Sequence, residues 1–269
     1  NVTTAAMATS SVHVQGIVIK TDDARWAFNT TAVNIASGAT ATVVSLTTSY
    51  PANSKVVVIM ILDGYRSDGG TGQTYIGAGS VRLKLGNTVL TSNPYALGSY
   101  GANQPGWWIL IWGGAVLGSS QTWSIEVYNN STPAVPYNFF GEIVTFTVSD
   151  FAFLDSASSA LSNTILTTVG NMTTTLVGDV AVLAIPSGEN TAVAFGSGLP
   201  AGGIVLQKDN YAITQIDNKV GQYLEHPDRW MRAQMYFLAR VDAGTSNPSY
   251  QVKMRAGWSG INGQVKILA

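Results

Sequence analysis

Strand-forming segments that recur at a nearly constant spacing constrain the fold of this chain more than any other feature. In the first half they are Ser80–Thr91, Trp107, Trp123–Val127 and Gly141–Phe146; in the second half their matches are Gly203–Thr214, Trp230, Tyr250–Met254 and Gly263–Leu268. The offset between matched positions stays within about 122 to 127 residues, in the same order along the chain. Four ordered matches of this kind indicate a duplication.

The composition of the segments indicates β-strands. Each is a short run of β-branched or aromatic residues bounded by Gly, Pro, Asn or Ser. Runs in the first half include Ala41–Leu46, Lys55–Leu62, Ser80–Leu85, Trp107–Trp112, Thr122–Tyr128 and Glu142–Val148. Short strands separated by turn signals predict an all-β fold of two tandem β-sandwiches of the jelly-roll type.

A helical pattern appears between the two halves. Apolar residues recur there at spacings of three and four, namely Leu154, Ala157, Leu161, Ile165 and Val169. We therefore expect an extended segment over 1–20, a first β-sandwich over 21–150, a short helical connector over 151–170 and a second β-sandwich over 171–269.

The composition narrows the classes of partner. Charged residues make up 11% of the 269, and the formal net charge is −1. Surfaces this poor in charge suit a protein that packs against copies of itself or carries sugar. The sequence has no stripe of basic residues, so we do not expect it to bind nucleic acid. It also has no apolar run that approaches the roughly 18 residues of a membrane span. The absence of cysteine excludes disulfides, thiolate metal sites and cysteine nucleophiles.

Two features favour a location outside the cell or on a virion. The chain begins at Asn1 without Met, as expected of a mature form after leader cleavage or of a trimmed chain. Acceptor sequences for N-glycosylation occur at Asn1, Asn29, Asn129, Asn130 and Asn171. Glycans or a host surface are therefore candidate partners.

Motifs that carry enzyme chemistry do not occur in the sequence, so we expect no enzyme and no obligatory cofactor. The best metal candidate is the glycine-rich segment Asp63–Gly70. Asp63 and Asp68 could supply hard oxygen ligands to Ca²⁺ there. The alternative is that the Asp-Gly steps simply form turns.

Tryptophans are concentrated on two neighbouring strands. Alternation places Trp108 and Trp112 on one face of their strand and Trp107 on the other, and Trp123 lies on the next strand. A strand that is apolar on both faces is usually buried on both sides. One face would then be the core and the other a domain or subunit interface, with stacking on sugar rings as the alternative.

The N-terminal segment Asn1–Lys20 has no counterpart in the second half. Its apolar positions Val12, Val14, Ile17 and Ile19 follow a strand pattern. Such a segment could be donated to the sheet of a neighbouring subunit, which would build a homopolymer. The alternative is that it forms the first strand of its own sandwich.

The chain resembles two groups of proteins. The Thr/Ala-rich start Asn1–Ser11, the strand Val12–Lys20, the lack of cysteine and the acceptor asparagines resemble secreted β-sandwich subunits of archaeal filaments that polymerise by donor-strand exchange. The duplicated strands at Trp107 and Trp230 and at Gly141 and Gly263 resemble the tandem jelly-roll coat proteins of virions.

These observations predict a self-assembling extracellular structural protein. The leading hypothesis is a pilus-like filament subunit that polymerises through N-terminal strand addition. A virion coat or spike protein with tandem jelly rolls is the first alternative, and a carbohydrate-binding surface protein is the second.

Overall fold

The computed structural model describes residues 23–70, 73–95, 97–100, 106–115, 120–190, 203–215, 232–234, 237–242, 247–256 and 260–269. All regular secondary structure in these ranges is β-strand. None of the described residues forms a helix that could span a membrane. The strands of the first half are β1 (Arg25–Phe28), β2 (Val33–Ile35), β3 (Thr40–Thr48), β4 (Lys55–Arg66), β5 (Gln73–Ile76), β6 (Val81–Leu85), β7 (Thr88–Ser92), β8 (Leu97–Tyr100), β9 (Gly106–Ala115), β10 (Gln121–Tyr128) and β11 (Tyr137–Val148). Those of the second half are β12 (Phe153–Asp155), β13 (Ser159–Ala160), β14 (Thr167–Thr173), β15 (Asp179–Asn190), β16 (Ile204–Lys208), β17 (Tyr211–Gln215), β18 (Arg232–Gln234), β19 (Phe237–Asp242), β20 (Ser249–Met254) and β21 (Ile261–Leu268).

The first half is a complete jelly roll. One sheet has the order β1/β2–β11–β4–β9, with β1 and β2 following each other along the same edge of β11, and the facing sheet has the order β3–β10–β6–β7. When β1/β2 counts as one interrupted strand, the sheets hold strands 1-8-3-6 and 2-7-4-5 of eight. This is the antiparallel strand order of a jelly roll. The short strands β5 and β8 pair with each other outside both sheets.

The second half repeats this order strand for strand. Its sheets run β12/β13–β21–β15–β18/β19 and β14–β20–β16–β17, which again gives 1-8-3-6 and 2-7-4-5. We call residues 23–148 the first jelly roll and residues 153–269 the second. The predicted all-β fold with two tandem sandwiches is therefore confirmed.

Irregularities in the strands are duplicated as well. The strands at position 2, β3 and β14, each carry one extra residue opposite the strand at position 7, Val43 in the first roll and Val169 in the second. Register also equates Thr91 with Thr214, since they pair with Leu83 and Leu206. A shared bulge and shared register support the duplication inferred from the sequence.

Both rolls interrupt strand 1 in the same way. In the first roll the backbone of Asn29 donates to Gly141 O (3.2 Å), and its Oδ1 accepts from Gly141 N (2.5 Å). In the second roll the backbone of Ser156 donates to Val265 O (3.0 Å), and its Oγ accepts from Val265 N (2.9 Å). A side chain thus replaces a ladder hydrogen bond at each break. The match equates Gly141 with Val265, which corrects the sequence alignment of Gly141 with Gly263 by two residues.

Each roll has its own apolar core. In the first, alternate residues of β4 point inward, namely Val56, Val58, Met60 and Leu62, and pack with Trp123, Tyr137 and Phe139. In the second, Val182 and Ala184 pack with Leu206, Val252 and Ile267. Because side chains alternate along a strand, the residues between these positions point to the opposite face of each sheet.

The two rolls pack through those opposite faces. Val57, Ile111 and Phe146 of the first roll form one buried cluster with Ile185 and Leu268 of the second. At Gly113 an added Cβ would lie 2.8 Å from the Phe151 ring and 3.0 Å from Leu268, so the backbone of β9 approaches the second roll closely. The rolls are therefore joined through an apolar cluster as well buried as their cores.

Polar contacts show that the rolls stand side by side with the same ends aligned. At one end Lys55 Nζ pairs with Asp150 (2.8 Å). Further along, Thr91 Oγ1 meets Asp155 (3.3 Å), and beyond the end of β7 the Tyr95 hydroxyl meets Ser158 (3.0 Å). These contacts advance in the same direction along both rolls, since strands 1, 3 and 5 of a jelly roll all run the same way.

The predicted helical connector is wrong. Residues 153–170 supply β12, β13 and the start of β14, so the second roll begins at Phe153 and the link comprises 149–152. Leu161 and Val169 are buried in the second core, whereas Ile165 is 68% exposed. Their helix-like spacing arises because the break after Asp155 and the bulge at Val169 shift the strand alternation. The predicted segment 1–20 lies outside the described residues.

We predict that Asn29→Ala destabilises the first roll by about 1–3 kcal/mol, since it leaves backbone groups of Gly141 and Phe139 without their partner. Urea unfolding measures the change. The matched control is Asn171→Ala, because Asn171 is exposed and only accepts from Ser249 Oγ (2.7 Å). It should change the free energy of unfolding by less than about 0.5 kcal/mol. Equal effects of the two substitutions would contradict the bridging role of Asn29.

Candidate functional site

The outer face of the first roll's 1-8-3-6 sheet carries many large apolar side chains, with Asp63 and Glu142 among them. Two rows of residues cross this face. In one row Val144 lies between Trp26 and Ile59, and in the next row Glu142 lies between Phe28 and Ile61. The lower half of this face, around Val57 and Phe146, is covered by the second roll. The upper half is not covered by any of the residues that the structure describes.

We call this upper half the open patch, which comprises Trp26, Phe28, Ile61, Asp63, Phe140 and Glu142. Trp26 is 62% exposed, Phe28 59% and Ile61 37%. Five of the six patch residues, all except Trp26, border a shallow depression of about 390 Å³ together with Asn29 and Gly141. Large exposed apolar side chains grouped on one sheet face are typical of an interaction surface.

Two carboxylates lie within the open patch. Asp63 pairs in register with Phe140, and Glu142 with Ile61, so the acids are diagonal neighbours on one face. Neither forms an ion pair or side-chain hydrogen bond with another described residue. Partial burial beside apolar groups raises the pKa of the Asp63 carboxyl. The patch therefore combines apolar area with an uncompensated negative charge.

The two residues of the predicted calcium site have different surroundings. Asp63 belongs to β4 and faces the open patch, whereas Asp68 follows the strand and is held by Arg66, whose Nε and Nη2 donate to its two oxygens at 2.6 and 2.5 Å. This pairing lowers the pKa of Asp68 to about 2. Among the described residues no group of three or more His, Cys, Asp or Glu is placed to hold a metal ion.

The tryptophans predicted to form an interface or to stack on sugars lie mainly in the core. Trp123 is fully buried and Trp108 is 7% exposed. Trp112 packs against the same core, with its ring centroid 5.8 Å from that of Trp123. The correction follows from alternation, since the opposite face of β9 carries Ile109 and Ile111 to the second roll. Trp107 lies in β9 opposite Asp63, and its side chain is outside the described part.

The acceptor asparagines differ in their surroundings. Asn129 is fully buried, and its Nδ2 donates to Ile35 O and Val135 O, which argues against a glycan there. Asn29 Nδ2 is likewise bonded, to Thr31 O and Phe139 O. Asn130 and Asn171 are exposed. Asn1 and the predicted donor positions Val12, Val14, Ile17 and Ile19 lie outside the described residues.

The residues of the open patch were missed at the sequence level, with the exception of Asp63. The strand Arg25–Phe28 has only four residues, too few for a clear periodic signal. Its alternation of Trp26 and Phe28 with smaller or polar neighbours was the signal available. Glu142 belongs to the run Glu142–Val148 that was predicted as a strand, whereas Phe140 lies just before it, and the outward face of the run could not be assigned without the partner strands.

The Asp63 carboxyl also gives the patch a measurable dependence on pH. A raised carboxyl pKa means that ionisation costs stability above the folded-state pKa, and that the cost disappears below the unfolded value near 4. We predict that Asp63→Asn raises the free energy of unfolding at pH 7 by less than about 1 kcal/mol, because solvent screens the exposed part of the group. Urea unfolding of both proteins at pH 7 and pH 3 measures this. A gain that is equal or larger at pH 3 would contradict it.

Comparisons with known proteins add the following. No protein-family model matches the sequence, and no curated protein matches it. Among solved structures, the STIV MCP is 8% identical, with 91% of this chain and 96% of that chain covered and a TM-score of 0.35. The major capsid protein P2 from bacteriophage PM2 is 12% identical, with 92% and 97% covered and a TM-score of 0.33. The tandem CBM51 modules of Sp3GH98 from Streptococcus pneumoniae are 9% identical, with 88% and 84% covered and a TM-score of 0.27. With TM-scores below 0.5, the fold assignment rests on strand order and register.

Proposed function

We propose that the chain is a coat subunit of a virion, a tandem jelly-roll building block that assembles with copies of itself into a closed shell. The observation that carries this proposal is the open patch. A sheet that is already half covered by a neighbouring jelly roll leaves Trp26, Phe28 and Ile61 in water, and burial against another subunit would remove that apolar area from solvent.

The two rolls lie side by side with equivalent ends aligned, and this arrangement supports assembly into a shell instead of an irregular aggregate. Because equivalent ends are aligned, the chain has two distinct end surfaces and a belt of lateral surfaces. Copies joined through the belt form a layer in which one end surface faces outward and the other inward. Lateral contacts between unlike surfaces close into rings when the rotation between copies is suitable.

Completeness of the sheets favours the coat over a filament built by strand donation. The chain itself supplies all eight strand positions of both rolls, including strand 1 as β1/β2 and as β12/β13. Neither described sandwich therefore has a gap that a segment from another subunit must fill. A carbohydrate-binding function is less favoured, since Trp108 and Trp123 are inside the core.

Electron microscopy of the purified chain together with light scattering tests the proposal. We expect closed particles or closed rings, in equilibrium with smaller oligomers and promoted by salts that strengthen apolar burial. A chain that stays monomeric at concentrations of about 100 μM would overturn the proposal, since lateral contacts that build a shell operate well below that range.

Deletion of Asn1–Lys20 separates the coat from the filament. The coat hypothesis predicts that assembly persists, because both rolls keep all their strands. Open fibres formed by the full chain and lost in the deletion variant would instead establish strand donation. Circular dichroism of the deletion variant controls for folding.

A further inference from the structure

The duplication makes the open patch directly comparable with the same region of the second roll. The shared break in strand 1 equates Asn29 with Ser156 and Gly141 with Val265. On strand 1, register then equates Trp26 with Phe153 and Phe28 with Asp155. On strands 3 and 8, it equates Ile61 with Ile185, Glu142 with Lys266 and Val144 with Leu268. The same register equates Asp63 with Ser187 and Phe140 with Gln264, so that each of the six residues of the open patch has a structural counterpart.

The two equivalent faces differ in whether they are covered. Ile185 is 1% exposed, whereas its counterpart Ile61 is 37% exposed. Lys266 is 3% exposed and pairs with Asp155, whereas its counterpart Glu142 is only half-buried and has no such partner among the described residues. The cover on the second roll is the first roll of the same chain.

That cover comes from one particular side of the first roll. Thr91 of strand 5 contacts Asp155, Tyr95 contacts Ser158, and Gly113 of strand 6 packs on Leu268. Side 5/6 of the first roll therefore sits on face 1/8 of the second roll. On the first roll, Val57 and Phe146 at the lower half of face 1/8 also belong to this contact, so the upper half of that face, the open patch, is left without cover from the described residues. The second roll carries a side 5/6 of its own, formed by β17, β18 and β19.

We propose that the open patch docks side 5/6 of the second jelly roll of another copy of this chain, which repeats between copies the contact that joins the rolls within one copy. This rests on the proposed self-assembly and assigns its interface. The occupant follows from continuity, because the second roll carries the same strands in the same order as the roll that already covers such a face.

Residues at equivalent register positions support the match. Leu238 in β19 takes the place of Ile111, since they pair with Leu183 and Ile59. Thr214 in β17 takes the place of Thr91. An apolar residue and a small hydroxyl residue therefore recur at the positions that make the internal contact.

The residue types at the equivalent positions differ in size and charge. Arg240 occupies the register position of Gly113, two residues along from the pairs that equate Ile59 with Leu183. The offset of strand 1 equates Phe151, against which Gly113 packs, with Ala24. The larger residue type therefore moves from one surface to the other. The register also puts a cationic residue type on the strand that we propose to face Glu142 and Asp63, which have no partner among the described residues.

Cysteine cross-linking tests the geometry directly, because the natural chain contains no cysteine. Phe28 is the counterpart of Asp155, and Thr214 is the counterpart of Thr91. Since Thr91 Oγ1 lies 3.3 Å from Asp155, the double variant Phe28→Cys/Thr214→Cys should form a ladder of disulfide-linked oligomers under mild oxidation. Each single variant should stay unlinked, since the contact joins unlike surfaces. Linkage of Phe28→Cys alone would indicate a twofold contact and overturn the proposal.

A second set of variants tests the energetics. Trp26→Ser/Phe28→Ser should raise the concentration for half-assembly by about tenfold or more, as loss of central aromatic contacts does at interfaces. Glu142→Arg should also weaken assembly, and Arg240→Glu in the same chain should restore it. The control is Ile165→Ser/Val177→Ser, which removes two exposed apolar side chains from turns of the second roll. It should leave assembly unchanged.

The outcomes distinguish this inference from the coat proposal itself. Assembly that persists in Trp26→Ser/Phe28→Ser, without cross-links in the cysteine pair, would show self-assembly through another surface and refute the docking site. A natural chain that does not assemble at all would refute both. Thermal unfolding of each variant shows whether the fold is intact, and the cross-linking result does not depend on any loss of stability.

Discussion

The architecture depends on two sheets that are apolar on both faces. Side chains alternate along a strand, so one face of each 1-8-3-6 sheet fills its own sandwich and the other must be covered by something else. In the second roll this outer face is covered at Ile185 and Lys266, which are both buried. In the first roll the cover reaches Val57 and Phe146 and stops short of Ile61. Both the pairing of the rolls and the open patch follow from this one constraint.

Much of the fold was predictable because strand alternation is a short-range signal. The run Trp107–Trp112 indicated a strand buried on both sides, and β9 is such a strand, with Leu110 and Ile111 each fully buried on opposite faces. Which face is the core could not be predicted, since both are apolar and the answer depends on distant partner strands. The helix over 154–169 was mispredicted because a strand break and a bulge disrupt the two-residue period.

The candidate site was less predictable than the fold. Asp63 and Asp68 were grouped because a glycine-rich stretch looks like a loop, yet β4 continues to Arg66 and separates the two acids. The open patch draws on three strands that are far apart in sequence. The equivalent face of the second roll is buried within this chain, and that comparison reveals the open patch as a surface that is covered elsewhere. The comparison requires the strand register. At Gly141 the sequence alignment had misplaced that register by two residues.

The aligned ends of the two rolls give the chain two end surfaces that differ in the length of their loops. Long excursions leave the end where strands 3 and 5 finish, such as the stretch between Arg66 and Val81 that holds β5, whereas the opposite end has turns as short as Gly86–Asn87 and Asp209–Asn210. Lateral surfaces lie between them. In the coat that we propose, insertions in the long excursions would therefore change one end surface without touching the lateral contacts. A duplicated roll of this kind would keep the surface that faces outward separate from the surfaces that join neighbouring subunits.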